Sequence, residues 1–434
     1  MLNRRSFLKN TGACTGAFMA SSLLPDFAYA NLPSENKFVL VFLNGGADQY
    51  SILAPVFENE YYNIRGQYAA EAPDGPLRYQ WVQGRPVGEE RALSLGHNQY
   101  ALHPFMAPLL PAYAAGQLNF IMGAELRPFG VNTRSHFEET DTMMRGGLTQ
   151  GSTGFLARLV NTAADRMTAN PAMQTGDTNL SAILNGANGA FNFSPPAQLT
   201  SPEVLRELMV SMYGSNPAYR GKLETSFNQN TQIDSLFSDP TLRQQALGRD
   251  YSIGSFVLNC RIAATLLGGG ALAPSVVFMN MFGYDSHVMS DFGWRGSHAD
   301  TFRTLANGLA ALRQGLIDNG EWSKTTVMVI SEFGRSPQIN GPTNQSNFGT
   351  DHGHGSCMMV MSGNPLFTRS AGSNGIYARA GSIQQNRING SGDLIGHVNA
   401  YSVIRFYLQA QYNLTNAQMD QILPGVTAWQ PVVG

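Results

Sequence analysis

Five short apolar runs punctuate the chain, at Phe38–Leu43, Asn119–Gly123, Val276–Met281, Thr326–Ser331 and Cys357–Met361. Runs of this length without alternation read as strands buried on both faces, as in a parallel sheet covered by helices. Between the third and fourth runs, Phe302, Leu305, Leu309, Leu312 and Leu316 recur at spacings of three and four. That spacing predicts an amphipathic helix over Ser297–Asn319 with one apolar face. Further helices are expected at His136–Arg145, Gly154–Asp165, Pro202–Met212, Ile253–Leu267 and His397–Gln411. Strands alternating with helices indicate an α/β fold, with a mostly parallel central sheet sandwiched between helices. Residues 168–250 break the pattern with turns rich in Asn, Gln, Ser and Pro, and are expected to form an irregular polar insertion or cap. The segment Gln338–Thr350 reads as a polar loop. No internal repeat interrupts the region, so residues 31–434 are expected to form one elaborated domain.

The first thirty residues follow a different pattern. Asn3–Lys9, with Arg4 and Arg5, resembles the twin-arginine consensus; a weakly apolar stretch, Thr11–Leu24, comes next, and Ala28-Tyr29-Ala30 has the form of a cleavage site. The order of these pieces is that of an export signal, with a mature chain expected from Asn31 in the periplasm or outside the cell. The twin-arginine route carries folded proteins, often with a metal or cofactor already inserted. Beyond this segment no run of eighteen apolar residues occurs, and no membrane span is expected. Cys14 lies near the start of the apolar stretch, unlike the cysteine that ends a lipoprotein signal. Cys260 and Cys357 both sit in apolar sequence, compatible with a bridge in an oxidising compartment or with two buried free thiols.

Composition narrows the partners. Charged residues make up 13% of the 434, against roughly 25% in average soluble proteins, and the net charge is −2. That balance gives no electrostatic case for nucleic acid, and the apolar content of 43% excludes charge-driven disorder.

Polar chemistry gathers just after the expected strands, where open α/β sheets place their ligand crevice. The first strand runs into Asn44-Gly45-Gly46-Ala47-Asp48, and the third into Phe282-Gly283-Tyr284-Asp285-Ser286-His287. The fourth ends in Ser331-Glu332-Phe333-Gly334-Arg335, and Thr350-Asp351-His352-Gly353-His354 precedes the fifth. Imidazole and carboxylate are the ligands of catalytic zinc and of manganese-type sites, which makes Asp48, Asp285, His287, Glu332, Asp351, His352 and His354 candidate metal ligands. Simpler roles are open to each: a turn for Asp48 and Asp285, an ion pair for Glu332 with Arg335. Arg335 also offers a planar fork suited to a phosphate or sulfate oxyanion. His97, His103, His298 and His397 read as loop or helix-start residues. The Gly45-Gly46 pair lacks the remainder of a dinucleotide-binding fingerprint. In Asn132-Thr133-Arg134-Ser135-His136-Phe137-Glu138, Ser135 and Glu138 have the spacing of a capping box. The same position, at a helix N-terminus, would also suit a nucleophilic hydroxyl facing an anionic substrate.

Taken in order, Phe42–Asp48, Leu102-His103-Pro104, Arg134–Phe137, Gly283–His287, Ser331–Arg335 and Gly349–Gly353 resemble the DUF1501 family of twin-arginine-exported bacterial proteins. That family in turn resembles the alkaline phosphatase and sulfatase superfamily. The resemblance implies a parallel sheet with one or two divalent metals (Zn, or Mn, Mg or Ca) at its carboxyl edge. It also implies Asp48 bridging two metals, Ser135 as nucleophile, and Asp285 with His287 on one metal. Where the superfamily has Asp-His-Gly, this chain has Glu332-Phe333-Gly334. Glu332 would replace the Asp, and the loop bearing Asp351, His352 and His354 would supply the imidazole. The function so implied is a periplasmic metal-dependent hydrolase of a small phosphate or sulfate ester. The alternative is a non-catalytic protein on the same fold that binds a periplasmic protein partner.

Overall fold

The computed structural model describes residues 36–65, 92–127, 131–148, 151, 153–176, 180–193, 255–268, 273–287, 296–340, 349–369, 373–377, 393–394 and 396–430. The export signal, the expected helix Pro202–Met212, most of the 168–250 insertion and the centre of the polar loop lie outside these residues. Among the described residues the strands are β1 (Lys37–Leu43), β2 (Leu53–Ala54), β3 (Leu93–Ser94), β4 (Ala101–Leu102), β5 (Leu118–Glu125), β6 (Ala172–Thr175), β7 (Ala190–Phe193), β8 (Val276–Met281), β9 (Thr325–Ser331), β10 (Arg335–Asn340), β11 (Gly349–His352), β12 (Ser356–Ser362), β13 (Ile376–Tyr377) and β14 (Val398–Asn399). The helices are α1 (Gln49–Ile52), α2 (Asn59–Arg65), α3 (Leu110–Ala114), α4 (His136–Arg145), α5 (Phe155–Thr162), α6 (Ser255–Leu267), α7 (Gly296–Asp318), α8 (Ala400–Tyr412) and α9 (Asn416–Ile422).

The main sheet has the order β13-β5-β12-β9-β1-β8-β6-β7, with β14 also pairing β5. β1 sits inside it, parallel to both β8 and β9 and wholly buried. Its alternation divides the core: Val39, Val41 and Leu43 join Phe302, Leu305, Leu309, Leu312 and Leu316 of α7 on one face. Phe38, Leu40 and Phe42 join Tyr401, Ile404 and Leu408 of α8 on the other. Both faces are therefore covered, which is why β1, β8 and β9 read as continuous apolar runs. Cys260 and Cys357 are buried free thiols, one in α6 and one in β12.

The exception to parallel pairing positions the site. β12 runs antiparallel to both β9 and β5. A parallel β12 would have needed a crossover back to the opposite edge. The chain instead folds β10 and β11 into an antiparallel hairpin and enters β12 from the edge where β9 ends. Residues 349–355 consequently stand at the carboxyl ends of β1, β8 and β9.

Candidate metal centre

Two glycines make room for the site. Gly45 and Gly46 follow β1 with φ of 121° and 75°, a region that favours glycine. A β-carbon on Gly45 would overlap the Asp285 amide, and one on Gly46 would stand 2.6 Å from the Phe333 ring. The turns after β1, β8 and β9 can pack against one another only because those atoms are absent.

At that edge four side chains converge. His136, Asp285, His287 and His352 each offer one ligand atom, and these atoms lie within 4.8 Å of one another. They come from the first residue of α4, the turn after β8 and the end of β11. Asp285 Oδ1 is 3.4 Å from His136 Nε2, 3.1 Å from His287 Nε2 and 3.4 Å from His352 Nε2. The two Nε2 atoms of His287 and His352 are 2.7 Å apart.

The opposite nitrogens face oxygen acceptors. His136 Nδ1 is 2.8 Å from Glu332 Oε1, His352 Nδ1 is 2.6 Å from the Arg134 carbonyl oxygen, and His287 Nδ1 is 3.2 Å from Asp351 Oδ1. A carbonyl or ionised carboxylate only accepts, so a neutral ring facing one keeps its proton on Nδ1 and turns its Nε2 lone pair inward. In the His287–His352 contact one Nε2 donates to the other, and a cation would displace that proton. The carbonyl of Arg134 reaches His352 from a left-handed backbone, φ 56°, which is uncommon for a non-glycine residue. His136 Nε2 is buried with no hydrogen-bond partner among the described residues. An inward lone pair without a donor, beside an anionic oxygen, fits a cation.

The charges are tuned unevenly. Burial alone would raise the Asp285 carboxyl, but the Arg335 guanidinium 2.6 Å away, with His136 and His287, holds it at about 2. Burial opposes charge on His136, yet its hydrogen bond to Glu332 and the charges of Glu332 and Asp285 raise its pKa from the ordinary histidine value. Burial and the Arg335 charge push His352 down. Phe333 supplies an apolar wall, its ring centroid 4.8 Å from those of both His136 and His352.

The remaining sequence candidates lie elsewhere or act at one remove. Asp48 does not reach the cluster: it is buried, accepts two hydrogen bonds from Arg65 at 2.8 and 2.9 Å, and also accepts from Ser51. Glu332 is not among the converging groups but stands behind His136, with Oε1 also accepting from the Gly45 amide at 2.7 Å. Asp351, largely exposed, stands behind His287. His354 turns away to Asp393, 3.7 Å distant, and burial lowers its pKa. Arg335 is fully buried rather than open to a ligand. It donates to the carbonyls of Gly45, Gly46, Tyr284 and Thr350 and to Asp285, tying three turns together. The capping box is not made, because Ser135 occupies the N-cap of α4 without a side-chain cap hydrogen bond. Glu139 steadies the approach instead, accepting from Thr133 and from Arg127.

His136 is the member that sequence reasoning missed. The cap at Ser135 sufficed to explain its segment, and a histidine at a helix start is unremarkable in isolation. The available signal was its position, an imidazole in the first helical turn after β5, on the same edge as the other polar turns.

A family model described as "Protein of unknown function (DUF1501)" matches residues 35–365. No curated protein matches the chain in sequence. Three solved structures give low similarity. The Ps i-CgsB complex with k-i-k-neocarrahexaose is 10% identical, with 88% of this chain and 73% of that chain covered and a TM-score of 0.35. The lipoteichoic acid synthase LtaP from Listeria monocytogenes is 8% identical, with 74% and 60% covered and a TM-score of 0.32. The C-terminal periplasmic domain of EcEptC from Escherichia coli, in complex with Zn, is 8% identical, with 78% and 76% covered and a TM-score of 0.30. No helix among the described residues is long and apolar enough to cross a membrane.

Proposed function

The chain belongs to the DUF1501 family, and from that premise and the geometry of its centre we propose that it is a periplasmic metal-dependent hydrolase of small phosphate or sulfate esters. One observation carries the reading: three imidazole Nε2 atoms and one carboxylate oxygen converge, while each Nδ1 faces an oxygen acceptor. His136, Asp285, His287 and His352 would hold a single divalent cation. Three nitrogen ligands suit zinc better than manganese, magnesium or calcium, which favour oxygen ligands. When bound, such an ion supplies Lewis acidity toward an ester oxygen.

The chain's own residues do the rest in this reading. Ser135, one residue before His136, is the nucleophile. Its oxygen bonds to the phosphorus or sulfur while the ester bond to the leaving alcohol breaks, and the hydroxyl proton leaves with that alcohol. Backbone amides in the first turn of α4, which lack intrahelical acceptors, face the anionic group. Arg335 holds Asp285 in place and does not touch the substrate.

The test is to purify the exported protein, measure bound metal by plasma emission, and assay aryl phosphate and aryl sulfate hydrolysis. About one metal per chain is expected, with turnover lost in Ser135→Ala at unchanged metal content. Absence of metal together with absence of turnover sinks the proposal. A second reading, a metal-dependent binding protein without catalysis, is favoured by one observation: Arg335 is fully buried and each of its three guanidinium nitrogens donates within the protein, so the fork is not presented to an oxyanion. Full metal occupancy, no turnover on either ester, and metal-dependent recovery of a stoichiometric periplasmic partner would select it.

A further inference from the structure

We propose that Glu332 is the positioning residue of the centre, orienting His136 from behind without itself binding the ion; this rests on the metal reading above. The carboxylate is fully buried at the end of β9 and fixed from two directions. Oε1 accepts from the Gly45 amide at 2.7 Å and faces His136 Nδ1 at 2.8 Å. Oε2 is 3.0 Å from Ser331 Oγ, which itself lies 2.9 Å from the Ala47 amide. Oε1 is thus anchored to the turn after β1, while Oε2 lies beside the Ser331 hydroxyl, whose one proton also has the Leu43 carbonyl at 2.7 Å. Both oxygens stand on the Nδ1 side of the ring, away from the converging Nε2 atoms.

The anchoring sets three features of His136. A carboxylate cannot donate to Nδ1, so in the neutral ring the proton resides there and Nε2 keeps its lone pair for a cation. The hydrogen bond fixes the ring plane, and the next residue, Phe333, backs the ring with an interplanar angle of 38°. Negative charge behind an imidazole also makes it a stronger donor toward a cation. Glu332 and Phe333 are therefore a two-residue seat, one holding the ring edge and the other its face. This accounts for an aromatic residue following the acid at a strand end where ligands are expected. Its neighbour is an orienting group and needs no coordinating partner.

Cobalt(II) titration of the full chain, stripped of metal, separates the possibilities, with affinity and the visible spectrum as readouts. Glu332→Gln keeps an acceptor for Nδ1 and is expected to bind cobalt within about tenfold of the unaltered protein, with the same spectrum. Glu332→Ala is expected to weaken binding about 10–100-fold, the range for loss of an outer-shell partner. His136→Ala, which removes a ligand, is expected to weaken it further and to change the spectrum. If Glu332→Gln matches His136→Ala in both readouts, Glu332 is a ligand and the proposal is overturned. It is equally overturned if Glu332→Ala binds like the unaltered protein. Failure of the unaltered protein to take up cobalt overturns the metal reading itself and this proposal with it. Should Glu332→Ala not fold, the Gln variant decides between orienting group and ligand on its spectrum.

Discussion

The turns after β1 and β8 present the same chemistry in sequence and opposite chemistry in space. Each delivers an aspartate beyond an apolar strand, and each aspartate meets an arginine. Asp48 is fully buried, and both its oxygens are taken by the Arg65 fork. Asp285 is half exposed, and the same oxygen that meets Arg335 faces three imidazoles. A carboxylate becomes a ligand or a strut according to what surrounds its lone pairs. Asp48 lost its candidacy to α2, which places Arg65 on it seventeen residues later.

Breaking the centre that the open turn faces should have the largest effect. His287→Ala or His352→Ala removes an inward Nε2 and is expected to lower metal affinity by more than the ~100-fold limit typical of outer-shell losses, measured by equilibrium dialysis with metal analysis. Breaking the closed turn acts on stability instead. Arg65→Met leaves Asp48 buried without its ion pair and should cost about 3–5 kcal/mol in urea unfolding, while metal stoichiometry stays unchanged. Loss of metal in that variant, with the fold intact, would show the two turns to be one functional unit.

Chelation sharpens the contrast between the turns. At a free metal concentration of 100 times the dissociation constant, bound ion stabilises the fold by about 2.7 kcal/mol. A chelator should therefore lower the thermal midpoint of the unaltered protein and of Arg65→Met, yet leave His287→Ala unmoved. A midpoint indifferent to chelator in all three would count against a cation at this edge. The smallest expected effect is that of Phe333→Leu, which keeps an apolar wall but gives up ring contacts worth on the order of 1 kcal/mol. A few-fold loss of metal affinity at preserved coordination is the expected result. A loss as large as that of His287→Ala would mean the wall does more than support the rings.

Much of the architecture could be read from the chain. The sequence boundaries expected for α4 coincide with those observed, and those for β8 do as well. α7 begins and ends one residue before the expected helix. Apolar period and strand length are local properties, so these elements were legible. The direction of β12 was not, because an apolar run reads the same whichever way it pairs. His136 was illegible for a related reason: a helix-start histidine acquires meaning only when Glu332 and Asp285 stand on its two sides.

The sequence by itself determined a sheet buried on both faces and the polar turns that follow β1, β8 and β9, since burial patterns and glycine-bearing turns are written residue by residue. It also determined the inventory of imidazoles and carboxylates. Only the tertiary structure decided which of them share a centre. Coordination depends on where lone pairs point and which neighbours already occupy them, and those neighbours are up to 290 positions apart, as between Gly45 and Arg335. The antiparallel entry into β12 brings His352 to His136 and His287, and the pairing of Arg65 with Asp48 withdraws a carboxylate that the sequence had offered.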